Sequence, residues 1–190
     1  MYILLGIAAL IVIFIVGVVI AGAMQPTDIN YRRSITTTAS AQTAFAIFSD
    51  LARWDEWSPY NKKDPNLKKE ISEPSTGLGA RYTWDGNKDI GAGRMTITAI
   101  NPDRSVDMRL EFDRPFKCDN HVEWRVDEEN GQRRITWSMD GKDAPLMPRI
   151  VGLFIDMDKM IGKDWEEGLE TLKGIAEREE AAHQGRTAER

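Results

Sequence analysis

The sequence has little of what most enzyme chemistries need. It contains a single cysteine, Cys118, so no internal disulfide can form and nothing demands an oxidising compartment. There are two histidines, His121 and His183, far apart in the chain, and with one cysteine they cannot make up the ligand set of an ordinary zinc site. No GxSxG, GxGxxG or Walker sequence occurs, and Gly91-Ala92-Gly93 is only a GxG at the start of a strand-like segment. Serine-nucleophile chemistry, nicotinamide binding and phosphoryl transfer therefore have no support. We expect neither a metal nor a cofactor. Positive charge is not in excess either, since 25 Lys and Arg stand against 30 Asp and Glu for a net charge of −5. That argues against nucleic acid as a partner, which calls for a concentrated basic face.

Charge of either sign is wholly missing from positions 1–24, MYILLGIAALIVIFIVGVVIAGAM. About 20 apolar residues are needed to cross a bilayer core of roughly 30 Å. A cleaved signal peptide wants a basic leader and an apolar stretch of about 7–15 residues. Ala21-Gly22-Ala23 imitates a cleavage site, but the basic leader is missing and the run is too long. A core helix apolar on every face would need a larger body than the remaining residues provide. We read 1–24 as a transmembrane helix whose partner is the lipid bilayer, and 25–28 as a short linker. Arg32 and Arg33 follow the span while no Lys or Arg precedes it, so the positive-inside bias puts the N-terminus outside and the following domain in the cytoplasm. The chain is thus expected to be a single-pass membrane protein. Lys62, Lys63, Lys68 and Lys69 read as a solvated loop and strand edge.

Residues 29–177 read as one domain and 178–190 as a polar, fraying tail. Tyr31–Thr38 is Thr-rich and strand-like. Ala44, Phe45, Ile47 and Phe48 fall at helical spacing with Ser40 as a cap, and Trp54 and Trp57 share one side of a second short helical stretch that Pro59 stops. Strand patterns follow over 67–73, 78–85, 91–100, 106–113, 116–127 and 133–140. The clearest is Val106, Met108, Leu110 and Phe112 alternating with charged residues, and Asn130-Gly131 marks a tight hairpin. Over 149–177 the spacing predicts one long helix with Ile150, Phe154, Met157, Ile161, Trp165, Leu169, Leu172 and Ala176 along its apolar stripe. An antiparallel sheet with one apolar face needs a cover, and that helix is the only large apolar element left. The expected architecture is α+β, a curved antiparallel sheet wrapped around a long C-terminal helix, with room between them for an apolar pocket.

Parity along the sixth strand segment puts His121 on the wet face and Cys118, Asn120, Val122 and Trp124 inward, so a Cys118–His121 dyad fails on geometry. An inward amide such as Asn120 must find hydrogen bonds or an enclosed ligand. Tyr82 and Asp156 are the other candidate acid–base groups, and none forms a recognisable catalytic set. The aromatic and Met set, which includes Trp84, Met108, Trp124, Trp137, Phe154 and Met157, serves equally as a filled core or as a cavity wall.

Three stretches, RRSITTTASAQTAFAIFSDLARWDEWSPYNKKDP, GARYTWDGNKDIGAGRMTIT and GLFIDMDKMIGKDWEEGLETLK, together resemble the START-like (SRPBCC) superfamily and within it the polyketide cyclase/dehydrase-like and lipid-transport-like proteins. The likeness covers about residues 29–177 and is most specific in W-x-x-W-S-P and DMDKMIGKD. It implies a helix-grip fold with a deep cavity that binds hydrophobic small molecules or lipids in some members and serves cyclase or hydrolase activity in others. The superfamily shares no one catalytic set, so no catalytic residue is carried over. By position, Trp54, Trp57, Trp84, Asn120, Trp124, Phe154 and Met157 fall near such a cavity, and Tyr82, Met108 and Trp137 complete the candidate wall. Three functions are in play: a membrane-tethered binding domain for a hydrophobic molecule or lipid, a cyclase, dehydratase or hydrolase using the same cavity, and a scaffold contacting another membrane protein.

Overall fold

The computed structural model describes residues 2–188. Helix α1, Tyr2–Ala23, is long and apolar enough to cross a membrane, and Gly22 is its one buried residue. Its 22 residues, at about 1.5 Å each, measure roughly 33 Å.

A seven-stranded antiparallel sheet follows, in the order β1-β7-β6-β5-β4-β3-β2. The strands are β1 (Ile29–Thr37), β2 (Lys68–Ile71), β3 (Arg81–Asp85), β4 (Ala92–Asn101), β5 (Ser105–Arg114), β6 (Cys118–Glu129) and β7 (Gln132–Gly141). Asn130 and Gly131 both adopt positive φ, 52° and 77°, and so close the β6–β7 hairpin in the mirror-image turn that strand twist favours. In β5, Val106, Met108 and Leu110 are buried and β6 buries Asn120, Val122, Trp124 and Val126, as the alternation predicts. Register shifts at Ala92/Gly93 and Ile97/Ala99 bend the sheet. Gly93 lets it bend closely, because a Cβ there would meet the Trp84 ring at 2.8 Å.

The register defines two ends. At the proximal end, next to α1, Ile29 lies opposite Gly141, Gly141 opposite Asn120, and Cys118 opposite Phe112. At the distal end Thr37 lies opposite Arg133. The distal end is filled by α2 (Ala41–Phe48), a 3-10 turn at Leu51–Arg53 and α3 (Trp54–Trp57), with α4 (Tyr60–Lys63) beyond. Ser40 caps α2 by accepting from Thr43 N at 3.2 Å.

The C-terminal region departs from the expected single helix. Helix α5, Leu146–Val151, ends at Gly152, and α6 runs from Met157 to Ala188. Asp156 restarts the chain by accepting from Lys159 N at 3.0 Å, an N-cap bond. Phe154 is therefore on a connecting turn, not on a helical stripe, and is 70% exposed. Trp165, Leu169, Leu172, Ile175 and Ala176 do form the buried face of α6 against the sheet. Nor does α6 fray at 177. Glu177 accepts from Thr37 Oγ1 and Thr38 N, both at 3.1 Å. Glu179 pairs with Arg53 at 2.5 Å, and Glu180 accepts from Thr43 Oγ1 at 2.6 Å and Ser40 Oγ at 2.8 Å. These bonds hold Glu180 near a pKa of about 2, Thr43 contributing most. The acidic run that looks like a solvated tail is a clasp on the β1–α2 corner.

Candidate functional site: a cavity at the proximal end

Between the sheet and α6 lies a partly enclosed cavity of about 1230 Å³. Small-molecule pockets usually measure about 300–1,000 Å³. Its existence follows from how the grip is filled. Distally, the short helices insert rings between sheet and α6: Phe48 stacks on Trp124 at 5.7 Å, Trp57 meets Trp124 edge-on at 5.0 Å, and Trp137 stacks between Trp124 (4.4 Å) and Trp165 (4.3 Å). Proximally, no such insert is present among the described residues, and the sheet and α6 separate.

Eight of the ten candidate wall residues line this space: Trp54, Trp57, Tyr82, Trp84, Asn120, Trp137, Phe154 and Met157. Met108 and Trp124 do not. Both are fully buried one row deeper, Trp124 under Phe48 and Trp57, where the distal rings have already closed the grip. Met95 and Met139, which belong to the same aromatic and Met set, also line it, and wall positions outside that set include Leu110 and Val122 on the sheet and Ile161 on α6. The same holds for the rim, formed by Gln25, Pro26, Lys142, Pro145, Pro148, Arg149 and the 152–156 turn. The rim was hidden because apolar spacing of three and four runs through the turn unbroken. The Gly152 stop and the Asp156 cap were the signals that could have revealed it.

The lining carries charged groups, Asp28, Asp89, Asp156 and Asp164 with Lys63, Lys142 and Arg149, beside neutral ones that include Tyr31, Tyr60, Tyr82, Cys118 and Asn120. Burial pushes Tyr82 up to about 12, with Asp55 adding to the effect. Burial also raises Tyr31 and, against the Trp165 hydrogen bond, Tyr60; the Cys118 thiol is raised for the same reason. All four stay protonated at neutral pH and make poor bases. Asn120 is buried, with its Oδ1 packed over Gly141, where any side chain would collide. Among the described residues its one side-chain partner is Cys118 Sγ, at 3.7 Å, so most of its hydrogen-bonding capacity faces the cavity. Tyr60 Oη accepts from Trp165 Nε1 at 3.0 Å, and Asp164 at the rim pairs with Lys63 at 2.5 Å. The indole N–H groups of Trp57, Trp84, Trp124 and Trp137 are buried and find no acceptor among the described residues. No group of three His, Cys, Asp or Glu that could hold a metal occurs among the described residues.

His121 lies on the opposite, wet face between Asp107 (2.8 Å) and Asp140 (3.1 Å), away from Cys118 and the cavity. The lysine cluster is ion-paired at three positions: Lys62 with Glu167 at 2.9 Å, Lys63 with Asp164, and Lys69 with Asp55.

A curved antiparallel sheet, a long C-terminal helix gripped across it and an aromatic-walled cavity between them define the helix-grip class, the SRPBCC or START-like superfamily. The chain belongs to the polyketide cyclase/dehydrase and lipid transport family, whose model matches residues 28–177. No curated protein matches the sequence. Among solved structures, hypothetical protein jhp0584 from Helicobacter pylori is similar with a TM-score of 0.60 at 11% identity, covering 79% of this chain and 89% of its own. StfQ, a di-domain ARO/CYC from the steffimycin biosynthetic pathway, has a TM-score of 0.60 at 11% identity, covering 80% of this chain and 52% of StfQ. Ara h 8.0201 has a TM-score of 0.53 at 15% identity, covering 78% and 97%. At these identities the likeness is one of fold. The domain holds a cavity suited to a hydrophobic ligand.

Proposed function

We propose that this chain is a membrane-tethered binding protein for a hydrophobic small molecule or lipid, anchored by α1 with the N-terminus outside and the helix-grip domain in the cytoplasm. The observation that carries the reading is the cavity itself: about 1230 Å³, walled by Trp, Met and Leu, and rimmed by the residues that follow α1. Desolvation supplies the affinity, each buried methylene contributing about 0.8 kcal/mol. Asn120 lies near the proximal end of the wall, so an acyl chain pointing toward the edge-to-face Trp57–Trp137 pair leaves its polar end within reach of that amide. An enzymatic reading needs a matched acid–base pair facing the substrate; the lining carries Asn120 and the neutral phenols of Tyr31, Tyr60 and Tyr82 together with the carboxylates of Asp28, Asp89, Asp156 and Asp164, of which Asp164 is ion-paired with Lys63 and Asp156 caps α6.

A fluorescent acyl-chain probe that accepts energy from tryptophan tests the proposal. Titrated into the detergent-extracted chain, it should show saturable energy transfer that unlabelled lipid displaces. Transfer that rises linearly without saturating, or that lipid does not displace, would overturn it.

A further inference from the structure

The cavity rim and α1 are joined by more than the linker. Gly22, the one buried residue of α1, lies against α5 so closely that a Cβ would come within 2.5 Å of Ile150 Cγ1 and 3.3 Å of Ile150 Cα. Arg149, from the same short helix, donates to Ala23 O and, at 2.8 Å, to Gln25 O, capping carbonyls that the end of α1 leaves free. Helix α5 is thus fixed to the end of α1, and its next residues, 152–156, form the cavity rim.

Helix α5, the rim turn after it and the first turn of α6 expose large apolar side chains beside the charged Lys142, Arg149 and Asp156. Leu146, Met147, Phe154, Ile155 and Met160 are between 39% and 70% exposed. Outside α1 and Met24, Leu78 is the one other large hydrophobic side chain exposed to that degree among the described residues, and it sits beyond the distal end of β3. An apolar apron of this kind, carried by α5, the turn after it and the first turn of α6, marks a contact surface.

We infer that this apron enters the lipid leaflet on the domain side of the span, so that the cavity opens into the membrane and takes its ligand, a leaflet amphiphile, laterally without passage through water. The inference rests on the reading of α1 as a bilayer anchor. Continuity selects lipid over a protein partner. The apron is contiguous with the end of an apolar helix whose own length matches a bilayer core, and the Gly22–Ile150 and Arg149 contacts hold it at that level.

Depth-dependent quenching tests it on the full chain in phosphatidylcholine vesicles. In a Cys118→Ser background, a bimane label is placed at Val12→Cys, Met147→Cys, Phe154→Cys or Leu78→Cys, and the vesicles carry lipids with nitroxide on the upper acyl chain, read for 147, 154 and 78, or near the chain terminus, read for Val12 at the middle of α1, or contain none. Quenching at positions 147 and 154 should be several-fold greater than at 78, with shielding from aqueous iodide. Should Val12 be quenched while 147 and 154 resemble 78 and respond to iodide, the apron faces water; the inference falls and the anchor stands. If 147 and 154 escape both quenchers, protein covers the apron, from a partner or a second copy, and the inference is again overturned. An unquenched Val12 would remove the anchor reading and the inference with it.

Discussion

His121 illustrates how a single side chain can be placed by parity and still acquire a measurable role. Burial lowers its proton affinity, but hydrogen bonds and charge from Asp140 and Asp107 outweigh that and raise its pKa overall. A raised folded-state value means the interaction stabilises the fold fully below the ordinary imidazole value and is lost as pH rises through the folded value. His121→Gln should therefore melt below wild type in mildly acid buffer and match it in alkaline buffer. The gap should be under about 1 kcal/mol, because the imidazole and its carboxylates are substantially exposed. Thermal melts of both proteins across that pH range check this; a gap that persists or grows toward alkaline pH contradicts it. Asn120 behaves differently. Its inward, buried position is legible from alternation in β6, but its poverty of partners is not, because that depends on Gly141 in the neighbouring strand.

At the scale of elements, β strands were the most legible. Charged and apolar residues alternate without interruption through β5, and Asn130-Gly131 has one physical interpretation. Helical elements at the C-terminus were less so. Ile150, Phe154, Met157 and Ile161 keep helical spacing across a segment that is not continuous helix, because periodicity counts residues and cannot register a turn that happens to preserve phase. Glu177, Glu179 and Glu180 resemble a solvated tail because Thr37, Thr38, Arg53, Ser40 and Thr43, which hold them, lie far back in the chain. The α1–α5 contact gives a prediction at this scale. Gly22→Leu places a side chain where Ile150 side-chain and backbone atoms already lie, so α5 must shift. Hydrogen exchange over 146–156 should rise by an order of magnitude or more, equivalent to about 1.4 kcal/mol of local stability, while β5–β7 stay protected. Unchanged exchange over 146–156 would mean that α5 is not fastened through this contact.

For the whole molecule, one division of labour explains both what is packed and what is open. Distal rings and the acidic clasp of α6 stabilise the grip at one end, which lets the other end stay open without loss of the fold. Trp124 and Met108 fall on the packed side of that division and Asn120 and Trp84 on the open side. Composition could not draw the line, since the same residue types fill cores and line cavities. Bulk added at the open end should accordingly remove ligand and spare stability. Leu110→Trp and Met139→Trp each project a large ring into the cavity from the sheet.

The central claim, that this cavity holds a hydrophobic ligand, is tested most directly by native mass spectrometry of the full chain extracted gently from membranes. Wild type should carry a bound mass corresponding to one acyl-chain amphiphile, and Leu110→Trp and Met139→Trp, with melting temperatures near wild type, should lose most of it. A wild-type protein that is consistently empty, or a bound mass retained equally by both variants, would contradict the account.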